Sequence, residues 1–383
     1  MIKIGILTIV KVNNYGAELQ AFALQYKLNN LGYNAELIDY LFYKNKYYKF
    51  SNKSLPIFKI SLKNKLKEKL LPLLEIVRSY KYRKNKKIRE QKFDKFHIKF
   101  SKFSSLTYFS YDDLYSENFD YDCFVVGSDQ VWNPYNYVSI EPYFLTFAPL
   151  DKPKISYASS FGVSSIPTNY HSEYRKLLNV LDAISVREAR GVELIKEMSG
   201  RNSVHVVDPT LLLGVEDWRT VAELPSYEHP YLLLYVLTES SYITKLAKLI
   251  AKNLNFSIIR ICKNASSEDT DSSIVNIIDA GPSEFVGYFM KASFVLTNSF
   301  HGTTFSTLFE KPFFTILPKN KPNNSRQQGF LFSIGLEDRL IEEGSSFPHP
   351  ECYALDFTEP SVRLQELRVI SEEYLFHVLG SPE

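Results

Sequence analysis

Short apolar segments alternate with segments of helical periodicity along most of the chain. In the first unit, residues 2–40, the apolar runs "KIGILTI" and "YNAELIDY" flank the stretch "ELQAFALQYKLNNLG". Apolar residues recur every three or four positions in that middle stretch, which is typical of a helix, and Gly32 follows where a helix cap belongs. Strands that are apolar on both faces and joined through helices indicate a parallel, doubly wound α/β sheet.

The alternation falls into two sets, separated after Leu224. We predict an N-terminal Rossmann-like domain over 1–224, a C-terminal Rossmann-like domain over 225–345, and a tail helix over 346–383 that packs back on the N-terminal domain. The length of 383 residues and the 45% hydrophobic content supply enough core for two domains. Two such domains facing a cleft form the GT-B-like arrangement, which by itself names no reaction.

Residues 44–102 interrupt the first domain with a Lys-, Tyr- and Phe-rich segment. It contains 20 Lys and Arg against 4 Asp and Glu, a net charge of +16, so the rest of the chain carries −14 although the total is only +2. We interpret the segment as one or two exposed helices. The charged residues form either a solvated face or a binding surface. Such a surface would attract an anionic membrane or a diphosphate-lipid carrier. No nucleic-acid-reading module is recognisable elsewhere, so nucleic acid is not expected as a partner.

Neither the start of the sequence nor its cysteines point to secretion. The opening residues lack a basic region and a cleavage site, and no run approaches the roughly 18 apolar residues that a membrane span needs. Cys123, Cys262 and Cys352 are far apart and show no metal-ligand spacing. We expect a cytoplasmic protein that can attach peripherally to the inner face of the membrane through 44–102, with no metal and no cofactor.

Four polar segments follow apolar strands, where ligands bind in open parallel sheets. The first contains Asn14, Tyr15 and Gly16, which offer an amide and a close backbone approach to a substrate. No GxGxxG fingerprint is present, so a nicotinamide or flavin enzyme is disfavoured. An ordinary turn with an asparagine cap explains the segment equally well.

The second segment, after "DCFVV", contains Ser128, Asp129 and Trp132. Hydroxyl and carboxylate groups beside an aromatic ring suit a sugar, whose ring face would stack on Trp132. The alternative is a turn capped by Asp129.

The third segment places Arg187 at the end of the run "DAIS". A guanidinium aimed into the cleft matches carboxylate or phosphate with two parallel hydrogen bonds. The alternative is a surface ion pair with Glu188 or a neighbouring acid.

The fourth segment follows the run "SFVLT" and contains Asn298, Ser299, His301, Gly302 and Thr303. A helix that begins here would point its free N–H groups and the positive end of its dipole at a phosphate. His301 could exchange a proton with the ligand near neutral pH. The alternative is a histidine with a purely structural role.

Taken in order, these segments resemble the polysaccharide pyruvyl transferase family. The resemblance implies a GT-B-like fold and the transfer of a pyruvyl group from phosphoenolpyruvate to sugar hydroxyls, usually as a ketal and with release of phosphate. Phosphoenolpyruvate is then a co-substrate, and the acceptor is a nucleotide-linked, lipid-linked or glycan-borne sugar of capsule or exopolysaccharide synthesis. The stretches that carry the resemblance include "NNYGAELQAFALQYKLNNLGYNAELIDY", "DCFVVGSDQVWNP", "ISVREARGVELI", "VVDPTLLL" and "LTNSFHGTTFSTLFEKPF".

One position departs from the family pattern. Many members carry an arginine two residues before the His-Gly pair, where this sequence has Ser299. Arg187 and Arg326 are the candidates to supply the missing charge, and His301 is the candidate for one of the proton transfers. On this reading, His301→Ala and Arg187→Ala should each abolish phosphate release while leaving folding intact.

Two other functions are compatible with the same features. A GT-B glycosyltransferase would also place the diphosphate of a nucleotide sugar on a helix N-terminus of the second domain. A non-catalytic module that binds glycan or nucleotide would explain Ser299, although it would not need His301 or Arg187.

Overall fold

The computed structural model describes residues 1–44, 83–135, 140–262, 271–319 and 324–382. Most of the basic segment, residues 45–82, lies outside this part of the chain, and so do the predictions that fall on it. Within the described ranges no helix is both long enough and apolar enough to cross a bilayer.

The first sheet is parallel throughout, with the strand order β3-β2-β1-β4-β5. A short parallel pair, β6 with β7, continues it through bridges from Ile155 to Ala183 and from Ser159 to Val186. The strands are β1 (Lys3–Leu7), β2 (Asn34–Tyr40), β3 (Phe103–Tyr108), β4 (Cys123–Val126), β5 (Lys154–Ser156), β6 (Ser185–Val186) and β7 (Val204–His205).

Seven helices accompany this sheet in the described residues. They are α1 (Tyr15–Asn30), α2 (83–100), α3 (Tyr111–Ser116), α4 (His171–Leu178), α5 (Ala189–Ser199), α6 (Pro209–Leu212) and α7 (Val215–Val221).

The second sheet is also parallel throughout, with the order β10-β9-β8-β11-β12-β13. Its strands are β8 (Tyr231–Tyr235), β9 (Ser257–Ile261), β10 (Ile274–Ile277), β11 (Phe294–Thr297), β12 (Phe313–Leu317) and β13 (Leu340–Glu342). Its helices are α8 (Ser241–Leu254), α9 (Pro282–Lys291), α10 (Phe300–Leu308) and α11 (Ser325–Ser333), and the chain ends with α12 (Thr358–Leu379).

These two sheets confirm the predicted α/β class. Strands β4, β8 and β11 are buried along their whole length, as expected for strands covered by helices on both faces. The strand order reverses between β1 and β4 in the first sheet and between β8 and β11 in the second, so each sheet has a switch point where ligands bind. The domain boundaries at 224 and 345 remain predictions.

Helix α12 lies against elements of the first sheet. The Tyr374 hydroxyl donates to the Ser156 carbonyl oxygen at 2.8 Å, and the Val207 N–H donates to Ser371 Oγ at 2.9 Å. At the surface Lys27 pairs with Glu372 at 2.6 Å. The last helix therefore rests on the first domain although it follows the second in sequence.

Helix α2, the described end of the basic segment, is exposed on one face and buried on the other, so the prediction of an exposed helix is only partly correct for 83–100. Phe93 and Phe96 are buried in the main core, where they follow the helical spacing of three. His97 Nε2 lies 2.7 Å from a Glu18 carboxylate oxygen, while Arg89 Nη1 donates to the Cys262 carbonyl oxygen at 2.6 Å. The helix thus connects α1 with the second sheet through Arg89 and His97, while most of its other basic residues are exposed.

Candidate active site

A cavity of about 150 Å³ opens at the carboxyl ends of β1, β4, β8 and β11, the four strands that flank the two switch points. All four polar segments singled out in the sequence begin at or near these strand ends or at the adjacent β6. The cavity is lined by Asn14, Asp129, Gln130, Leu237, Thr238, Asn298, Ser299, Phe300, His301, Pro318, Asn324, Arg326 and Gln327.

His301 is the second residue of α10. Ser299 caps that helix, since its Oγ accepts a hydrogen bond from the Gly302 N–H at 3.3 Å. A β-carbon added to Gly16 would lie 2.0 Å from His301 Nδ1, so the ring packs directly on the glycine backbone at the start of α1. On its other side, Nε2 faces Asp208 Oδ2 at 3.5 Å. The imidazole, which is carried by a helix of the second sheet, is therefore held between α1 and the start of α6, two elements that accompany the first sheet.

A Gly16→Ala substitution is expected to displace the imidazole, because its methyl group would overlap Nδ1 of His301. A shift of about 1 Å at a catalytic group can cost roughly 100-fold in rate, and we expect a loss of turnover of that order. Gly329→Ala is the matched control, since a β-carbon there meets no atom within 4 Å. Equal turnover in both variants would contradict a catalytic role for this packing.

Asp208 connects His301 to a buried arginine. It caps α6, with Oδ1 accepting the Thr210 N–H at 3.0 Å, while Oδ2 accepts Arg187 Nη1 at 3.0 Å and Ser128 Oγ at 3.3 Å. Burial alone would raise the pKa of this carboxyl, but His301 and Arg187 together hold the pKa well below its usual value. Asp208 therefore stays ionised beside the imidazole.

Arg187 is locked in place by two carboxylates. Besides the bond to Asp208, its Nε donates to Glu188 Oε1 at 3.0 Å, and the same oxygen accepts Ser160 Oγ at 2.8 Å. Burial lowers the pKa of the guanidinium, but the two carboxylates outweigh that effect and raise it. The ion pair with Glu188, given above as the alternative role of Arg187, does form, but it is buried and not on the surface.

Arg326 lies on the cavity wall, and no carboxylate among the described residues is bound to it. It is the second residue of α11, and its guanidinium carbon is 5.9 Å from the centre of the Phe300 ring. The guanidinium carbon of Arg187 lies 4.4 Å from the same ring centre. Burial, with repulsion from Arg187, lowers the pKa of Arg326 to about 10. The residue nevertheless remains a cation at neutral pH, and its charge is not neutralised by a partner.

Buried polar atoms without a hydrogen-bond partner cluster at this cavity. In the described ranges seven buried side-chain nitrogen or oxygen atoms make no hydrogen bond. Four of them are Arg187 Nη2, His301 Nε2, Arg326 Nε and Gln327 Oε1, of which His301 Nε2 has only the ion-pair contact with Asp208 at 3.5 Å. Unsatisfied buried groups are rare in folded proteins and call for an explanation at each occurrence. Their concentration here indicates a site built to bind a polar ligand.

The first turn of α10 has two further donors. The Gly302 N–H donates to the Ser299 side chain, and the Thr303 N–H donates to the Ser299 carbonyl oxygen at 3.0 Å. The N–H groups of Phe300 and His301 are left without a partner among the described residues. They are the two donors that this helix can offer to an anion.

Two aromatic predictions were wrong. Trp132 is fully buried, its Nε1 donates to the Tyr143 carbonyl oxygen at 2.7 Å, and its ring stacks on Phe144, so it presents no face to a sugar. Tyr15 is also in the core, where its hydroxyl donates to the Ala280 carbonyl oxygen at 2.8 Å. Both rings stabilise the fold, since a large apolar ring next to a strand end gains more from burial than from exposure in the cleft.

Gly302 and Thr303 do not line the cavity either. Thr303 is fully buried, and its Oγ1 bonds to the Ser299 carbonyl oxygen and to Thr315. A β-carbon at Gly302 would lie 2.2 Å from Thr297 Oγ1, so this glycine allows the helix to approach β11. Both residues support the position of His301 without reaching a ligand.

Six of the predicted residues reach the cavity: Asn14, Asp129, Asn298, Ser299, His301 and Arg326. Asn298 holds the loop after β8 through its Nδ2, which donates to the Thr238 carbonyl oxygen at 2.7 Å. Asp129 has a backbone φ of 77° and accepts the Gln130 N–H at 2.8 Å, as in a turn. Gly16, Ser128 and Arg187 lie behind this wall, in contact with His301 or Asp208.

Sequence reasoning missed Asp208, Phe300 and Gln327, and treated Glu188 only as a surface partner. The Asp208 signal was present, because an aspartate between the run "VHVV" and a proline is the pattern of a helix cap at a strand end. No group of three or more His, Cys, Asp or Glu with the spacing of a metal site occurs in the part of the chain that the structure describes.

Two parallel sheets with a cavity between their switch points define an α/β protein of the GT-B class. UDP-N-acetylglucosamine 2-epimerase from Rickettsia bellii has a similar fold, with a TM-score of 0.50 at 12% identity over 100% of this chain and 97% of that chain. The Arabidopsis thaliana protein UGT89C1, complexed with UDP-L-rhamnose, matches with a TM-score of 0.49 at 11% identity over 99% and 96%. No curated protein matches the sequence.

The model of the family described as polysaccharide pyruvyl transferase matches residues 14–320. This match covers most of the chain and includes every residue that lines the cavity except Asn324, Arg326 and Gln327. The chain belongs to that family of transferases.

Proposed function

We propose that the protein transfers the pyruvyl group of phosphoenolpyruvate to sugar hydroxyls, forming a ketal and releasing phosphate, in the synthesis of a cell-surface glycan such as a capsule or exopolysaccharide. The observation that carries the proposal is the arrangement around Phe300. Arg326, which has no carboxylate partner among the described residues, and Arg187 both lie against the ring of Phe300. His301 lies beside them and faces the ionised Asp208.

The cavity offers the donors that phosphoenolpyruvate needs. The substrate carries a phosphate and a carboxylate, and anions of this kind are bound by guanidinium groups and helix N-termini. Arg326 supplies a full charge and α10 supplies two N–H groups, while Arg187 lies behind the wall and adds its positive charge from there. In this proposal Arg326 takes over the role of the arginine that Ser299 replaces.

His301 and Asp208 suit the proton transfers of this reaction. The methylene carbon of phosphoenolpyruvate gains a proton while the central carbon becomes cationic and is attacked by a sugar hydroxyl, which loses its proton. A second hydroxyl then displaces phosphate from the same carbon, so that two C–O bonds form and the C–O bond to phosphate breaks. Asp208 would orient the imidazole of His301, the acid of the first step.

The proposal is tested by measuring phosphate released from phosphoenolpyruvate in the presence of nucleotide-linked and lipid-linked hexoses. Release that depends on an acceptor, together with pyruvyl transfer to that acceptor, supports it. Sugar transfer from a nucleotide sugar with no consumption of phosphoenolpyruvate would identify a glycosyltransferase instead. Binding without turnover of either donor would identify a non-catalytic module.

The role of Arg326 gives a separate prediction. Arg326→Gln is expected to raise the KM for phosphoenolpyruvate about 10- to 100-fold, since a charge-assisted contact to the anion is lost. The fold should remain intact, because the substitution removes a buried cation that is repelled by Arg187. Arg363→Gln, at an exposed position of α12, is the matched control. An unchanged KM in Arg326→Gln would exclude this residue as the phosphoenolpyruvate ligand.

A further inference from the structure

A second cavity, of about 520 Å³, lies between α7, α9, the end of α10 and α12. Three cations, Arg219, Lys311 and Arg368, line it against one carboxylate, Glu310. One wall is apolar and includes Met290 and Leu364, together with Leu308 and Phe309 at the end of α10. None of these residues belongs to the site described above.

Two of the cations are partly buried and have no carboxylate bound to them. Lys311 Nζ has no hydrogen bond or ion pair among the described residues. Arg368 donates only its Nε, to the Leu211 carbonyl oxygen, so the outer nitrogens of its guanidinium are available. Burial lowers the pKa of both groups, and for Arg368 the charge of Glu372 acts in the opposite direction without outweighing it. The Glu310 carboxylate accepts the Ser361 hydroxyl at 2.8 Å and is the one acid that faces the three cations of the lining.

The size and lining of the cavity select a class of ligand. A volume near 500 Å³ suits a small organic molecule and greatly exceeds what inorganic phosphate requires. Cations on one side and apolar side chains on the other match a molecule with a phosphorylated end and a flat apolar end. We infer that this cavity binds a nucleoside phosphate, at a site separate from the one that contains His301.

Two helices connect this cavity to the candidate active site. Helix α10 carries His301 in its first turn and ends at Leu308, seven residues and about 10 Å further along the helix axis. Helix α6 begins at its cap Asp208, and the carbonyl oxygen of its residue Leu211 accepts the hydrogen bond from Arg368. A ligand on Lys311 and Arg368 would therefore lie beside the last turn of α10, which carries His301, and would be linked to α6 through the Arg368 side chain.

Isothermal titration of the full-length protein with UDP tests the inference without any measurement of turnover. Lys311→Met is expected to weaken UDP binding about 10- to 100-fold, since one charge-assisted contact is lost. Lys252→Met, at an exposed position of α8, and Arg326→Gln, in the other cavity, should leave the Kd within twofold of the wild-type value. Pyrophosphate should bind more weakly than UDP, because it lacks the part that contacts the apolar wall.

Three outcomes would overturn the inference. Loss of UDP binding in Arg326→Gln but not in Lys311→Met would place the nucleotide in the active-site cavity. The absence of binding by both UDP and AMP would remove the nucleotide altogether. Equal affinity for pyrophosphate and UDP would show that the apolar wall makes no contact. Failure of the proposed pyruvyl transfer would alter none of these binding results.

Discussion

Replacing His301 by glutamine is expected to lower acceptor-dependent phosphate release about 10²- to 10⁴-fold, the usual contribution of a positioned acid or base. Glutamine keeps a polar side chain of similar length beside Asp208 but cannot transfer a proton near neutral pH. The loss should appear in kcat, with little change in the KM for phosphoenolpyruvate, because the arginines and the helix terminus that bind the anion are retained. Steady-state phosphate release measures both parameters.

The control for this variant is His377→Gln, at an exposed position of α12. It should retain wild-type turnover, and both variants should unfold at the same temperature as the wild-type protein within a few degrees. Near-normal kcat in His301→Gln would remove this residue from the mechanism. A shared loss of turnover in both variants would point to a general effect on the preparation.

Replacing Arg187 by methionine is expected to destabilise the protein by about 3 to 5 kcal/mol, the cost of leaving buried carboxylates without their cation. Methionine fills much of the arginine volume, so packing loss contributes little. Asp208 and Glu188 would keep their buried positions but lose the guanidinium that each contacts at 3.0 Å. The expectation from sequence alone, that Arg187→Ala leaves folding intact, is therefore replaced by a large effect on the free energy of unfolding.

The effect of Arg187→Met should depend on pH. The folded state holds the pKa of Asp208 below its value in the unfolded chain, which is about 3.9. The stabilisation from this depressed pKa is thus fully present above that value and is lost as pH falls toward the folded-state pKa. The difference in unfolding free energy between wild type and variant should be largest at neutral pH and should narrow below about pH 4.

Urea unfolding at several pH values measures this difference. Arg190→Met is the matched control, since Arg190 pairs with Glu193 and Glu197 at the surface, where ion pairs contribute about 0 to 1 kcal/mol. Equal stability of Arg187→Met and Arg190→Met would show that the buried network contributes nothing. A stability difference that stays constant down to pH 2 would show that Asp208 is not the group affected.

The location of the site was predictable because it follows from local patterns. Apolar runs separated by helical periodicity identify the strands, and polar residues after those runs mark the carboxyl ends where ligands bind. His301 and Arg326 were reached in this way, and both line the cavity. The absence of the family arginine at Ser299 was also visible in the sequence.

The contacts among the polar residues, and which of their side chains face the cavity, were not predictable from the sequence. Asp208 and Arg187 meet only because β6 and β7 are adjacent, and His301 joins them only because the two domains face each other. Trp132 and Tyr15 follow strands just as the true cavity residues do, and the pattern alone does not say which side chains turn inward.

The sequence by itself determined the α/β class, the family, and the four strand ends at which a ligand site can form, because hydrophobic periodicity and short motifs are properties of neighbouring residues. Only the tertiary structure decided that Arg187 is held by two carboxylates while Arg326 stays open to the cavity. The charge on a guanidinium is available to a ligand only where no buried carboxylate occupies it, and that depends on residues that are distant in the chain and adjacent in the fold.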